Sequence, residues 1–80
     1  MKLLITDSQN RVEFIFANES WDAKTLRKAI KEKYNLGDDD EIALVFNGNI
    51  LEDDDKLLKK GITDGKTINF LGRFDAGKSI

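Results

Sequence analysis

The chain has 80 residues, and its 13 Lys and Arg against 15 Asp and Glu give a net charge of -2 at pH 7. This length accommodates one small domain, and the slightly acidic balance lacks the basic surface that nucleic-acid binding requires. The sequence contains no Cys, His or Pro. This excludes disulfide scaffolds, thiolate or imidazole metal sites, and catalysis by a Cys or His side chain.

The hydrophobic pattern argues against membrane insertion and secretion. No segment approaches the roughly 20 apolar residues of a membrane helix, and the apolar start of the chain stops at Thr6-Asp7, too soon for a signal peptide. We therefore expect an intracellular protein, cytoplasmic or nuclear, that binds neither membrane nor nucleic acid and uses no cofactor.

Two short strands joined by a polar turn are predicted at the start of the chain. Apolar residues recur at every second position in both: Leu3, Ile5, Val12, Phe14 and Phe16. Asn10 is a candidate for a left-handed turn residue, but Asp7 or Ser8 could also serve. The pattern alone therefore leaves the register of this hairpin open.

A helix of about three turns is predicted next, because the apolar period changes to three or four residues at Ala23, Leu26 and Ile30. Asp22 is a favourable N-cap, and Trp21 and Leu26 have the spacing of a hydrophobic staple. Asn35 suits the left-handed position that follows many helices.

The second half of the chain predicts three more strands. Residues 42–46 alternate as a strand, and Asn47-Gly48 is a strong turn signal that leads to a brief partner strand at residues 50–51. A single helical or 3₁₀ turn closed by Gly61 follows, and then a last strand at residues 67–71.

Two acidic runs, residues 38–41 and 52–55, could suggest a Ca²⁺ site. Neither run has the alternation, the mid-loop Gly and the terminal Glu of a calcium-binding loop. Consecutive carboxylates also point in different directions, so we expect solvated acidic loops and no metal site.

This order of elements predicts an α+β fold of the β-grasp type, a mixed sheet of four to five strands with one helix packed across it. Three segments resemble ubiquitin and the ubiquitin-like domains: MKLLI at 1–5, LVFNGNILED at 44–53 and GITDGKTI at 61–68. The likeness covers residues 1–74, which we expect to form the domain, with a flexible tail at 75–80.

The resemblance implies a binding surface on the outer face of the sheet. There the family carries a leucine, an isoleucine and a valine beside a histidine. Val45 matches the isoleucine, Leu71 matches the valine and Asn69 stands at the histidine, whereas Ser8 or Gln9 replaces the leucine of the first hairpin. Binding to partners that require that leucine is therefore in doubt.

Strand alternation independently places four apolar residues on the outer face, with Ala43 and Asn69 between them: Leu4, Ile15, Val45 and Leu71. The candidate binding residues are these four together with Gly48 and Asn69. The alternative is incidental exposure, since single apolar residues are common on protein surfaces.

Arg27 and Asp53 match a basic and an acidic residue that pair in ubiquitin.

The chain resembles an adaptor-type domain more than ubiquitin itself, because Asn49 replaces the lysine of the commonest degradative chain. We expect a non-enzymatic, monomeric module that docks onto proteins with ubiquitin-binding helices or onto proteasome receptors. The alternative is a covalent modifier processed to Gly77, because Ala76-Gly77 falls where conjugated modifiers end in diglycine. Asp75 stands where ubiquitin has arginine and weakens that match. A third reading is a purely structural subunit.

Overall fold

A mixed five-stranded sheet with one helix against it forms the protein, in a computed structural model that describes residues 1–37 and 39–72. The elements in chain order are β1 (Lys2–Thr6), β2 (Val12–Phe16), α1 (Ala23–Lys33), β3 (Ile42–Phe46), β4 (Asn49–Ile50), a 3₁₀ turn (Leu58–Lys60) and β5 (Thr67–Gly72). The strand order is β2-β1-β5-β3-β4, and β1 and β5 are parallel while the other pairs are antiparallel. The predicted β-grasp fold is confirmed.

The core lies between α1 and the inner face of the sheet. Side chains that are fully buried come from both layers and from the segment before β5: Leu3, Ile5, Leu26, Ile30, Leu44, Leu57, Ile62 and Ile68. Each contributes about 1.5–3 kcal/mol by leaving water, so these side chains hold the helix across the sheet. Within the part of the chain that the structure describes, no helix is long and apolar enough to cross a membrane.

The loop between β1 and β2 is organised by one carboxylate. Asp7 Oδ1 accepts hydrogen bonds from the backbone N–H groups of Gln9 at 2.9 Å and Arg11 at 3.0 Å, and Arg11 Nε donates to Asp7 Oδ2 at 2.8 Å. Burial raises the pKa of Asp7, but the hydrogen bonds from Arg11 and Gln9 outweigh it, so the pKa lies below its ordinary value. Asn10 is the left-handed residue, with φ 63°.

The start of α1 satisfies its free backbone donors in two ways. Asp22 Oδ1 accepts from the Thr25 backbone N–H and hydroxyl, both at 2.9 Å, which confirms the predicted N-cap. The N–H groups of Ala23 and Lys24 donate to the carbonyls of Asp55 at 2.9 Å and Asp53 at 3.1 Å. The helix is thereby fastened to the loop that follows β4.

An ion pair reinforces this attachment. Arg27 Nη1 contacts Asp53 Oδ1, which confirms the pairing that the resemblance implied.

At the other end of the helix, Asn35 adopts the left-handed conformation, with φ 56°, as expected for the residue that follows the end of a helix.

The turn at Asn47-Gly48 forms as predicted, with φ of 52° and 80°, the positive pair that a tight hairpin turn requires. Its partner strand differs from the prediction by one residue, because β4 is Asn49–Ile50 and not 50–51. Leu51 still donates its N–H to the Leu44 carbonyl at 2.8 Å, but its side chain is buried in the core, so the chain turns inward there.

The N-cap makes the stability of the fold depend on pH. The hydrogen bonds from Thr25 lower the pKa of Asp22 below its ordinary 3.8. A carboxyl with a lowered pKa stabilises the fold above its ordinary pKa and loses that effect as the pH falls through the folded pKa. In urea denaturation we expect Asp22→Ala to be less stable than wild type near pH 7, with the difference shrinking below about pH 4.

Asp22→Asn is the matched control, because Asn caps helices about as well and does not ionise. Its stability should stay close to wild type at neutral pH. A loss in Asp22→Ala that is the same at every pH would show that the ionised carboxylate is not what caps α1.

Candidate functional site

The outer face of the sheet, turned away from α1, is the candidate site. The register puts Leu4 of β1 opposite Phe14 of β2, and Leu71 of β5 opposite Ala43 of β3. Val45 lies between Asn69 and Ile50 on its two neighbouring strands. Side chains from all five strands therefore reach this face, and they form two apolar patches.

The first patch, here named the β3–β5 patch, consists of Ala43, Val45, Ile50 and Leu71. Leu71 is 50% exposed and Ile50 is 64% exposed, while Ala43 and Val45 are half-buried between them. Asn69, exposed, stands beside Val45 at the polar margin of the patch. Val45, Asn69 and Leu71 thus face outward, as their alternation predicts.

Gly48 occupies the hairpin tip between β3 and β4 and is exposed. A Cβ at this position would have no atom within 4 Å, but its φ of 80° strains any other residue. The conformation of the turn is therefore sufficient to explain why a glycine stands at position 48. Its role in binding stays a prediction.

The second patch, here named the β1–β2 patch, consists of Leu4, Val12, Phe14 and Phe16. Val12 is 50%, Phe14 46% and Phe16 76% exposed, and Leu4 is half-buried between β2 and β5. The Lys2 ammonium lies over the Phe14 ring, 4.2 Å from its centroid, a geometry that favours cation–π attraction.

The prediction that Ile15 faces outward is wrong. Ile15 is only 7% exposed and pairs with Leu3, and both side chains enter the core. Phe14 takes the outward position beside Leu4 that was assigned to Ile15. Sequence alternation missed this because both faces of β2 carry apolar residues, so the period of two does not say which set is buried.

Loop length decides the orientation of β2. The Asp7 N–H donates to the Arg11 carbonyl at 3.3 Å, and this closure sets the pairing of Leu3 with Ile15. A shift of one residue would exchange the two faces of the strand. Asp7 and Asn10 were already candidate turn residues in the sequence. The length of the loop, and hence the register of β2, became clear only from the hydrogen bonds of the Asp7 carboxylate and the left-handed conformation of Asn10.

A polar strip separates the two patches. The Thr6 hydroxyl donates to Asn69 Oδ1 across the β1–β5 pair. Thr67, exposed and opposite Leu4, extends the strip. The outer face therefore offers two separate apolar surfaces rather than one continuous area.

The acidic side chains of the described residues do not gather into a cluster of metal ligands. Among residues 1–37 and 39–72, no group of three or more Asp or Glu side chains is placed to hold a metal ion. The two carboxylates whose pKa is lowered, Asp7 and Asp22, act in a turn and a helix cap. The proposed processing residue Gly77, the domain boundary at residue 74 and the tail 75–80 lie outside the described residues.

The orientation of β2 can be tested by a pair of neighbouring substitutions. Ile15→Ala should lower the free energy of unfolding by about 2–5 kcal/mol because it leaves a cavity in the core. Phe14→Ala should cost less than about 1 kcal/mol, since the ring is half in water already. Urea denaturation at equal protein concentration measures both. A larger loss for Phe14→Ala would contradict the assigned faces.

Comparison with known sequences agrees with this architecture. No curated protein matches the chain significantly. The family profile described as Ubiquitin family matches residues 3–75, a range that holds the helix and the described strands except for Lys2, the first residue of β1. Domains of this family are generally non-catalytic. With a match over most of its length and a β-grasp sheet, the chain belongs to the ubiquitin family.

Proposed function

We propose that the protein is a non-enzymatic interaction module that docks through the β3–β5 patch onto ubiquitin-binding helices or proteasome receptors. One observation carries the proposal: Val45 and Leu71, which match the family isoleucine and valine, are diagonal neighbours on β3 and β5, and exposed Ile50 pairs with Val45 on the same outer face. Exposed apolar side chains grouped on neighbouring strands mark an interaction surface more often than isolated ones do.

The shape of the patch favours a helical partner. Its apolar side chains come from the adjacent strands β3, β4 and β5, and the polar margin at Asn69 borders one side. A helix with an apolar stripe can lay side chains at intervals of three and four residues across such a surface. The small apolar area, and a polar residue at the family's first-hairpin leucine, favour weak and transient binding.

Charge insertion at the patch tests the proposal. Leu71→Glu should weaken binding to a synthetic helical ubiquitin-interacting peptide and to purified proteasomes by about tenfold or more, because it places a carboxylate in an apolar contact. Leu58→Glu is the matched control, since Leu58 is 45% exposed but lies in the 3₁₀ turn, outside the sheet. Isothermal titration and NMR titration of each variant provide the measurements.

In the NMR titration, wild-type shifts should cluster at Val45, Ile50 and Leu71. A normally folded Leu71→Glu variant that binds as tightly as wild type would overturn the proposal. Shifts centred on the β1–β2 patch would move docking to the other surface and would also contradict it.

The alternative function is a covalent modifier, favoured by Ala76-Gly77, which stands where conjugated members of the family carry diglycine. A modifier should lose Lys78, Ser79 and Ile80 in extract from its own cells and then form adducts that depend on a thioester intermediate. We expect the intact mass of tagged protein to show Ile80 retained. A species that ends at Gly77 together with heavier adducts would replace the docking proposal by the modifier function.

A further inference from the structure

The free edge of β2 combines two features in the same three residues. Val12, Phe14 and Phe16 expose large apolar side chains on the outer face, at 50%, 46% and 76%. Their strand is the first in the order β2-β1-β5-β3-β4, so one of its sides has no strand beside it among residues 1–37 and 39–72.

The backbone groups of these residues point toward that open side. The Met1 ammonium donates to the Ala17 carbonyl and the Ala17 N–H donates to the Met1 carbonyl, both at 2.7 Å. In an antiparallel pair the bonded residues alternate, so Ile15 and Glu13 also bond to β1. The N–H and carbonyl groups of Val12, Phe14 and Phe16 are therefore directed away from β1.

Natural edge strands are usually protected by Pro, by inward-pointing charges or by Lys on the edge. The sequence has no Pro. Glu13 is the one charged residue within β2, and the Lys33 ammonium of α1 lies 3.8 Å from its carboxylate. Glu13 shares the inward face of β2 with Ile15 and is one such inward-pointing charge, but its ion pair with Lys33 offsets it. The outer half of the edge presents apolar side chains and available hydrogen-bonding groups with only that protection.

We infer that, instead of the monomer expected from the sequence, two copies of this chain associate through their β2 strands, which pair antiparallel about a twofold axis at Phe14. In this register Phe14 lies opposite Phe14 of the second copy, and Val12 lies opposite its Phe16. In each of the three residue pairs, the N–H and carbonyl groups of one copy face those of the other. Each pair can therefore form two hydrogen bonds, about six in all. On the outer face the three apolar side chains of one copy align with those of the other.

The self-complementary sequence of β2 is what favours a second copy as the occupant. A twofold contact requires one surface to match itself, and the apolar positions 12, 14 and 16 are symmetric about their centre. A shift by two residues toward the turn would place Glu13 opposite Glu13 of the second copy, a like-charge pair that disfavours that register. Pairing about Phe14 places Glu13 opposite Ile15 instead.

The surroundings of the edge fit this occupant as well. The groove between β2 and α1 is lined by Phe14, Phe16, Trp21 and Ala29, with one acid and one base on its rim, Glu32 and Lys33. This rim has no net charge that would select an acidic or a basic peptide. A second copy brings the same balanced rim, so the two rims add no excess of like charge. The Lys2 ammonium that lies over each Phe14 ring is the like charge that this pairing must keep apart on the solvent side of the outer face.

Pairing through β2 would leave the proposed docking surface open. The twofold axis runs perpendicular to the sheet, so the outer faces of both copies lie on the same side of one continuous sheet. The β3–β5 patches lie at its far ends, beyond the polar strip of each copy. A dimer would therefore present two docking patches at once and bind tandem helices by avidity.

Molar mass as a function of concentration tests the association. Sedimentation equilibrium and light scattering should give 9.1 kDa at low concentration and a rise toward twice that mass at high concentration. Phe14→Glu should weaken the association by about tenfold or more, because it sets two carboxylates directly opposite each other at the twofold axis. Leu71→Glu, a matched control at the other patch, should leave the self-association unchanged.

The register is tested on the unmodified protein. In a mixed sample of isotope-labelled and unlabelled chains, intermolecular contacts should appear between the Hα of Glu13 and the Hα of Ile15 of the second copy. The amide hydrogens of Val12, Phe14 and Phe16 should exchange more slowly as concentration rises, while that of Ile15 is protected throughout. These measurements do not depend on whether Phe14→Glu folds.

Three results would overturn the inference. One is a mass of 9.1 kDa that persists to about 1 mM, where even a millimolar contact is well populated. Another is a dimer whose intermolecular contacts lie outside β2. The third is slow amide hydrogen exchange at Val12, Phe14 and Phe16 that appears only when an extended peptide is added, and not when the protein concentration rises. None of them bears on docking through Leu71, so failure of this inference and failure of the proposed function are separable.

Discussion

The pairing of Leu3 with Ile15 determines what both faces of this small domain present. It places Ile15 and Ala17 in the core beneath β1 and turns Val12, Phe14 and Phe16 to the outside. The loop closed around Asp7 holds that register, because its carboxylate binds two backbone N–H groups and the Arg11 side chain. A few hydrogen bonds in one exposed turn thus decide which apolar side chains stabilise the fold and which remain available to partners.

The charged residues with defined partners serve mainly to hold the architecture. Asp22 caps α1, Arg27 pairs with Asp53 and thereby ties the helix to the loop after β4, and Glu13 lies beside Lys33. Isolated exposed ion pairs of this kind contribute little to stability individually, and here they lie where one element meets the next. The interactions proposed for this protein accordingly depend on apolar shape rather than on proton transfer or a bound ion.

The polar strip of Thr6, Asn69 and Thr67 gives the outer face two separate surfaces. On one side are the residues that match the family's binding positions, and on the other are aromatic side chains at a free sheet edge. Flat apolar surfaces separated by hydrogen-bonding groups can be occupied independently, because burying one does not require the other to lose water. Docking at one patch and self-association at the other are therefore compatible.

Local sequence patterns were enough to predict most elements and their order along the chain. Alternation of apolar residues predicted the strands, and the change of period at Ala23 predicted the helix. Asp22 predicted the start of that helix, and Asn47-Gly48 predicted the turn of the second hairpin. These features are local, since each depends on residues within one or two turns of the chain. The resemblance in three segments then indicated the β-grasp order and the positions of Val45, Asn69 and Leu71.

The orientation of β2, in contrast, depends on long-range pairing with β1. Alternation favoured burial of Val12, Phe14 and Phe16 and put Ile15 outside beside Glu13, whereas pairing with β1 buries Ile15 and exposes the other three. Similarly, the sequence predicts a strand at Ile50-Leu51, but the strand is displaced by one residue to Asn49–Ile50, and the Leu51 side chain is buried in the core. In both cases the physical reason is the same: burial depends on which neighbouring strand a residue meets, and that partner is distant in the sequence.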